Sequence, residues 1–120
     1  MRPLLVLLML NLGSATAASA FLTPQELATA LKHKSFTLIN VHVPFEGAIA
    51  GTDAFIPFDK VKGSAQLPRD HAAQIVLYCR SGHMSAIARA TLNTLGYRNV
   101  RELQGGFDAW KQAGFPLTQR

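Results

Sequence analysis

Apolar residues along the chain change their period several times, and each change marks an element. Leu4 to Leu10 is an unbroken apolar run of seven behind Arg2. It stops at Asn11, Gly13 and Ser14, well short of the ~20 residues that cross a bilayer. Ala18-Ser19-Ala20 supplies a small-x-small cleavage site, with Ala15-Thr16-Ala17 as a second. Residues 1–20 are therefore expected to be a secretory signal peptide and residues 21–120 the mature domain, against a competing reading as a membrane anchor.

Thr23-Pro24-Gln25-Glu26 has the capping-box pattern with proline at the first helical position. Leu27, Ala28, Ala30 and Leu31 follow at helical spacing, which predicts a helix over 24–33. Phe36 to Val41 is apolar and β-branched, too short for a helix and too apolar for a half-exposed strand, so it predicts a buried parallel strand. Pro44 to Pro57 carries Gly47 and Gly51 and reads as loop, with a short strand at 54–56. Gly63 to His71 reads as loop or a loose helical turn. Ile75 to Tyr78 is a second buried strand that runs directly into Cys79.

After Cys79 the period becomes helical. Met84, Ile87, Ala88, Thr91, Leu92 and Leu95 fall on one face, Ser85, Arg89 and Asn93 fall elsewhere, and Gly96 stands where a left-handed cap belongs. A strand over 99–103 and a helix over 107–112 complete the pattern. Strands alternating with helices predict a single α/β domain with a mostly parallel central sheet flanked by helices.

Composition narrows the function classes. With 120 residues, 48% hydrophobic and 16% charged, the chain suits one compact domain rather than a disordered tail. One cysteine excludes both a disulfide framework and a Cys-based structural zinc site. The formal charge is +5, but Lys and Arg are scattered, with Lys32/Lys34 and Lys60/Lys62 the close pairs. No stripe suited to a nucleic-acid backbone emerges, and a mild positive field favours small anions.

The chemistry concentrates in Cys79-Arg80-Ser81-Gly82-His83-Met84-Ser85, between a buried strand and an amphipathic helix. Ligands bind at the carboxyl ends of strands in such sheets. A loop there that winds into a helix start turns backbone N–H groups inward and adds the positive end of the helix dipole. Gly82 allows the conformation in which successive amides converge. Such a cradle binds an anion or stabilises a thiolate, which makes Cys79 the candidate nucleophile. The competing reading is a small buried hydrophobe at a strand end.

This loop resembles the active-site loop of rhodanese-like sulfurtransferases, Cys-Arg-Ser-Gly-x-Arg-Ser, at Cys79, Arg80, Ser81, Gly82 and Ser85. Leu103-Gln104-Gly105-Gly106-Phe107-Asp108-Ala109-Trp110 and Gly114-Phe115-Pro116-Leu117 resemble that family's closing pattern. Leu38-Ile39-Asn40-Val41 takes the place of its Leu-Ile-Asp-Val strand. The resemblance covers about Thr23 to Leu117. It implies a protein in which Cys79 accepts the outer sulfur of thiosulfate or a related donor, becomes a persulfide, and passes the sulfur to cyanide or a thiol; with the leader, the expectation is an exported, single-domain member. Arg80, Ser81, Gly82, His83, Met84 and Ser85 are then the substrate-binding residues. That chemistry requires no organic cofactor and no metal.

The departures are informative. Met84 stands for the loop's second arginine, Asn40 and His42 for the strand-end Asp and Arg, and Gly47-Ala48-Ile49-Ala50-Gly51 for a Gly-His-Ile-Pro-Gly loop. Two cationic positions are absent, and Arg89 lies about 140° around the helix from Met84. A phosphatase would need an arginine where Ser85 stands. Cys79, His83 and Met84, with His42, would be a soft-metal set, but Met84 falls on the predicted core face. Glu46 and Asp53 lie in the loop after the first predicted strand, where carboxylates can face the mouth of the site or simply be solvated.

The expected partners are a small sulfur-containing anion or thiol acceptor and, if exported, a redox protein of the periplasm or medium. Nucleic acid is not expected, nor stable membrane insertion after signal cleavage. The rival function is a non-catalytic anion-binding or protein-interaction module on the same scaffold.

Overall fold

The computed structural model describes residues 19–119. The leader expected at 1–20 falls, apart from Ser19 and Ala20, outside the described residues. Strand β1 is Phe21–Leu22, helix α1 Pro24–Ala30, strand β2 Thr37–Asn40 and strand β3 Ala54–Phe55. Strand β4 is Ile75–Tyr78, helix α2 His83–Thr94, strand β5 Val100–Leu103 and helix α3 Gly106–Gln112.

The five strands form one sheet in the order β1-β5-β4-β2-β3, and every neighbouring pair is parallel. The α/β domain with a parallel central sheet flanked by helices is thus as expected. Successive residues of β4 face opposite layers, and all of them are buried. Val76 and Tyr78 join Leu27, Leu38, Leu103, Phe107 and Trp110 beneath α1 and α3. Ile75 and Leu77 join Ile39, Val41, Cys79, Ala88 and Leu92 beneath α2. Two covered faces explain why β2 and β4 read as continuous apolar runs rather than as alternating ones.

Helix α1 begins as the sequence dictates: Thr23 Oγ1 accepts from Glu26 N at 3.1 Å and Thr23 N donates to Glu26 Oε1 at 2.8 Å. It tightens into a 3₁₀ turn at Leu31–His33, so the predicted helix over 24–33 is two segments. Helix α2 ends in a Schellman arrangement, with Gly96 at φ 98°, Tyr97 N donating to Leu92 O and Gly96 N to Asn93 O.

The predicted apolar face of α2 is rotated from the observed one. Ser85, Ala88 and Leu92 are buried, whereas Ile87 is 39% exposed. The rotation follows from a polar contact described below, which draws Ser85 inward. Strand β1 was not foreseen; it pairs with β5, and Ala20 O accepts from Glu102 N at 2.8 Å. Among the described residues no helix is long and apolar enough to cross a membrane.

Candidate active site

Strand β4 delivers Cys79 to the carboxyl edge of the sheet, and the chain then turns through Arg80, Ser81 and Gly82 into α2. Gly82 sits at φ 128°, a conformation that side-chain-bearing residues rarely adopt. The turn points two amides at the sulfur: Gly82 N donates to Cys79 Sγ at 3.1 Å and Ser85 N at 3.4 Å. With the N-terminus of α2 beside it, negative charge on the sulfur is favoured. Cys79 is only 2% exposed and forms part of the wall of a cavity of about 330 Å³.

The loop is held by the start of α3. Phe107 N donates to Cys79 O at 2.9 Å and Asp108 N to Arg80 O at 3.0 Å. These bonds satisfy the carbonyls of Cys79 and Arg80. Gly106, at φ 60°, lies directly against the same carbonyls, and a Cβ there would stand 2.4 Å from Arg80 C and O. The Gly-Gly pair of the closing pattern is therefore the seat of the cysteine loop, a role that its distance along the chain conceals.

Of the residues singled out in the sequence, Cys79, Arg80, Ser81, His83 and Met84 line the cavity together with His42 and Asp108. Gly82 and Ser85 act through their amides. Met84 is half-buried, reaching both the cavity and the core layer beneath α2. Arg80, with a side chain 56% exposed, stands 3.5 Å from Glu46 Oε1 and 3.6 Å from Asp108 Oδ2. Its charge is thus answered by two carboxylates at the mouth, so an incoming anion does not meet an unpaired cation. Such exposed pairs contribute about 0–1 kcal/mol each.

His42 packs edge-on to Phe107, with ring centroids 5.3 Å apart. Its Nε2 lies 3.2 Å from Glu46 Oε1 but is buried without an aligned hydrogen-bond partner. Asn40 donates from Nδ2 to Gly47 O at 3.1 Å and accepts from His42 N at Oδ1, 2.9 Å. An aspartate could not make the first bond. Asp53 does not face the mouth: Oδ2 accepts from Leu38 N at 2.8 Å and meets Lys34 Nζ at 2.6 Å, at the start of β2.

Sequence reasoning missed Glu102, which is 1% exposed on β5. Ser85 Oγ donates to its Oε1 and Arg89 Nε to its Oε2, both at 2.6 Å. The Cys79 thiol reaches Ser85 Oγ at 3.5 Å. Arg89 therefore supports a buried carboxylate rather than replacing the absent loop arginine. A larger cavity of about 570 Å³, lined by Arg89, Arg98 and Arg101, lies at the opposite end of β4 and β5, away from Cys79. Among the described residues no group of three or more His, Cys, Asp or Glu side chains could hold a metal ion.

Comparison with known proteins agrees with this fold. A family model described as rhodanese-like domain matches residues 23–113. An uncharacterized protein of Synechocystis sp. is 33% identical over 112 residues, covering 90% of this chain and 61% of its own. The probable adenylyltransferase/sulfurtransferase MoeZ of Mycobacterium tuberculosis is 37% identical over 104 residues, 82% of this chain and 26% of that protein. The chain thus spans less than two thirds of these relatives. Among solved structures, a rhodanese-related protein of Thermoplasma volcanium superposes with a TM-score of 0.69 at 28% identity, covering 82% of this chain and 97% of the other.

Proposed function

The chain belongs to the rhodanese-like domain family, and on that premise we propose that it is a sulfurtransferase in which Cys79 carries sulfane sulfur as a persulfide. The observation that carries the reading is the sulfur of Cys79 receiving the amides of Gly82 and Ser85 at 3.1 and 3.4 Å beside a cavity.

The chemistry divides into two displacements. The Cys79 thiolate attacks the outer sulfur of the donor, a new S–S bond forms, and the donor's own S–S bond breaks with its electron pair leaving on sulfite or on a thiolate. The acceptor thiolate or cyanide then attacks that outer sulfur, and the Cys79 thiolate departs with the pair. Amides already aimed at the sulfur stabilise the negative charge whenever it returns to Cys79 and cost no reorganisation at that moment. A covalent intermediate of this kind predicts ping-pong kinetics.

Thiosulfate or a related donor fits the scheme, and the mouth ranks the candidates. Glu46 and Asp108 answer Arg80, and Met84 contributes no charge. This supports a singly charged donor, such as a small persulfide, over dianionic thiosulfate. The acceptor is a small thiol or cyanide. The leader-like segment supports export to the periplasm or medium after a cut behind Ala20, where an exported redox protein is a further acceptor.

The test is to incubate the full chain with thiosulfate and, separately, with a small persulfide, and to weigh it intact before and after cyanide. One added sulfur that cyanide removes is expected, and none in Cys79→Ser. A sulfur gain that persists in the serine variant defeats the proposal.

A further inference from the structure

Among the described residues Glu102 is the one buried carboxylate beside the site, and the two displacements above make no use of it. An ionised carboxylate taken out of water costs several kcal/mol unless it is paired and hydrogen-bonded. Arg89 Nε at 2.6 Å supplies the pairing. The second carboxylate oxygen is spent on Ser85, whose hydroxyl lies between Glu102 Oε1 at 2.6 Å and Cys79 Sγ at 3.5 Å.

A hydroxyl carries one proton. Because Ser85 gives its proton to Glu102, its oxygen faces the sulfur as an acceptor. That arrangement suits a thiol, whose S–H donates to Ser85 Oγ, and opposes a thiolate. We infer that Glu102 takes up the proton of Cys79 through the Ser85 hydroxyl, so that the thiolate forms with no proton lost to solvent. The S–H bond breaks as a new Oγ–H bond forms, and the old Oγ–H bond breaks as an Oε1–H bond forms. Negative charge moves from Glu102 to Cys79, and the atoms and protons of the set are unchanged.

Afterwards Ser85 Oγ donates to the sulfur alongside the amides of Gly82 and Ser85, and Arg89 remains a cation next to a neutral acid. Arg89 favours the carboxylate; the three donors and the start of α2 favour the thiolate. The shift therefore joins two states of equal proton count rather than two steps of acid and base. Other ionisable groups face Cys79 from the cavity: His42, Arg80, His83 and Asp108, with Glu46 reaching His42 and Arg80. None of these bonds Glu102. Its neighbour Arg101 turns instead to the carbonyls of Ser19 and Phe21. Glu102 thus acts on the reaction through Ser85, as a positioning residue that also stores a proton.

The inference rests on Cys79 as the nucleophile, but its test needs no sulfur donor. The full chain is alkylated with iodoacetamide, a neutral reagent, and the rate is followed by intact mass across pH. Thiolate formed with the proton held on Glu102 does not change with pH for as long as the set keeps that proton, so the rate of the parent should show a segment that is flat with pH. In Glu102→Gln and in Ser85→Ala the thiol must release its proton to water, and the rate should climb with pH where the parent is flat. The double variant should behave as either single variant does. Ser85→Thr, which keeps a hydroxyl, should restore the plateau.

A unit slope in the parent overturns the inference. So does a plateau that survives in a folded Glu102→Gln or Ser85→Ala protein, which would assign it to His42 or His83. A parent that shows the plateau yet gains no sulfur from either donor would refute the transfer reading alone.

Discussion

Replacing Gly106 with alanine tests whether α3 seats the cysteine loop. The new Cβ would stand 2.4 Å from Arg80 C and O and 2.5 Å from Cys79 O, where ordinary contact begins at 3.4 Å, so loop and helix must separate by about 1 Å. That movement stretches the bonds from Phe107 N to Cys79 O and from Asp108 N to Arg80 O, now 2.9 and 3.0 Å, past useful length. Two lost hydrogen bonds cost about 1 kcal/mol each, and alanine at positive φ costs about 1–2 more. A loss of ~3–4 kcal/mol corresponds to a melting temperature lower by roughly 12–30 °C in a domain of this size. Displacing the sulfur by about 1 Å costs on the order of 10²-fold in kcat/KM for sulfur transfer. Gly63→Ala is the matched control, since Gly63 has φ 79° with nothing within 4 Å of a built Cβ. It should show the backbone strain alone and transfer sulfur normally. Thermal melts and transfer rates on both variants decide the matter. If Gly106→Ala melts with Gly63→Ala and keeps a transfer rate within about threefold of the parent, α3 does not seat the loop.

Met84→Arg should raise kcat/KM for thiosulfate by roughly five- to thirtyfold, the worth of ~1–2 kcal/mol of screened attraction beside the sulfur; the melting temperature is followed alongside, because Met84 also packs against the core, and a folded variant with no gain would make Met84 part of the donor selectivity. Burial raises the Tyr78 phenol above its ordinary value of 10.0, opposed by its hydrogen bonds to Thr52 and the Ile49 amide. The unfolded chain then releases that proton first, so the contribution of Tyr78 is intact below about pH 10 and falls as pH rises beyond it. Urea titrations of the parent and Tyr78→Phe should show a shallower alkaline decline in the variant, and equal slopes would count against the linkage. N-terminal sequencing of exported material should begin at Phe21; a chain still starting at Met1 would mean an uncleaved anchor.

The elements with a clear period were legible in the sequence. Ile75 to Tyr78 could only be a buried strand, and α2 announced its own end at Gly96. The loop from Cys79 to Ser85 was legible because a cysteine, a glycine and a helix start stand together. Strand β1 was not, since Phe21–Leu22 is too short to show a period and takes its stability from β5. Glu102, and the burial of the Ser85 side chain against it, were illegible for a different reason. A charged or polar residue in a pattern reads as solvent-facing, and only the fold brings a serine on α2, an arginine one helical turn further on and a glutamate on β5 into one buried set. The same holds for Asp53, whose bonds to Leu38 and Lys34 place it away from the mouth that loop carboxylates suggested.

The chain has a single cysteine, and its sulfur lies almost wholly below the surface. A disulfide requires two sulfurs at about 2.05 Å with their Cβ atoms about 3.8 Å apart. Two copies whose thiols both lie in cavity walls cannot approach so closely while folded, and no second thiol within the chain can resolve an oxidised Cys79. Oxidative damage therefore has a restricted course in this protein: a sulfenic acid formed at Cys79 either meets a thiol that reaches into the cavity or proceeds to the sulfinic acid. Covalent dimers should accumulate only as the fold opens, which makes their appearance on a non-reducing gel a report on unfolding rather than on oxidant.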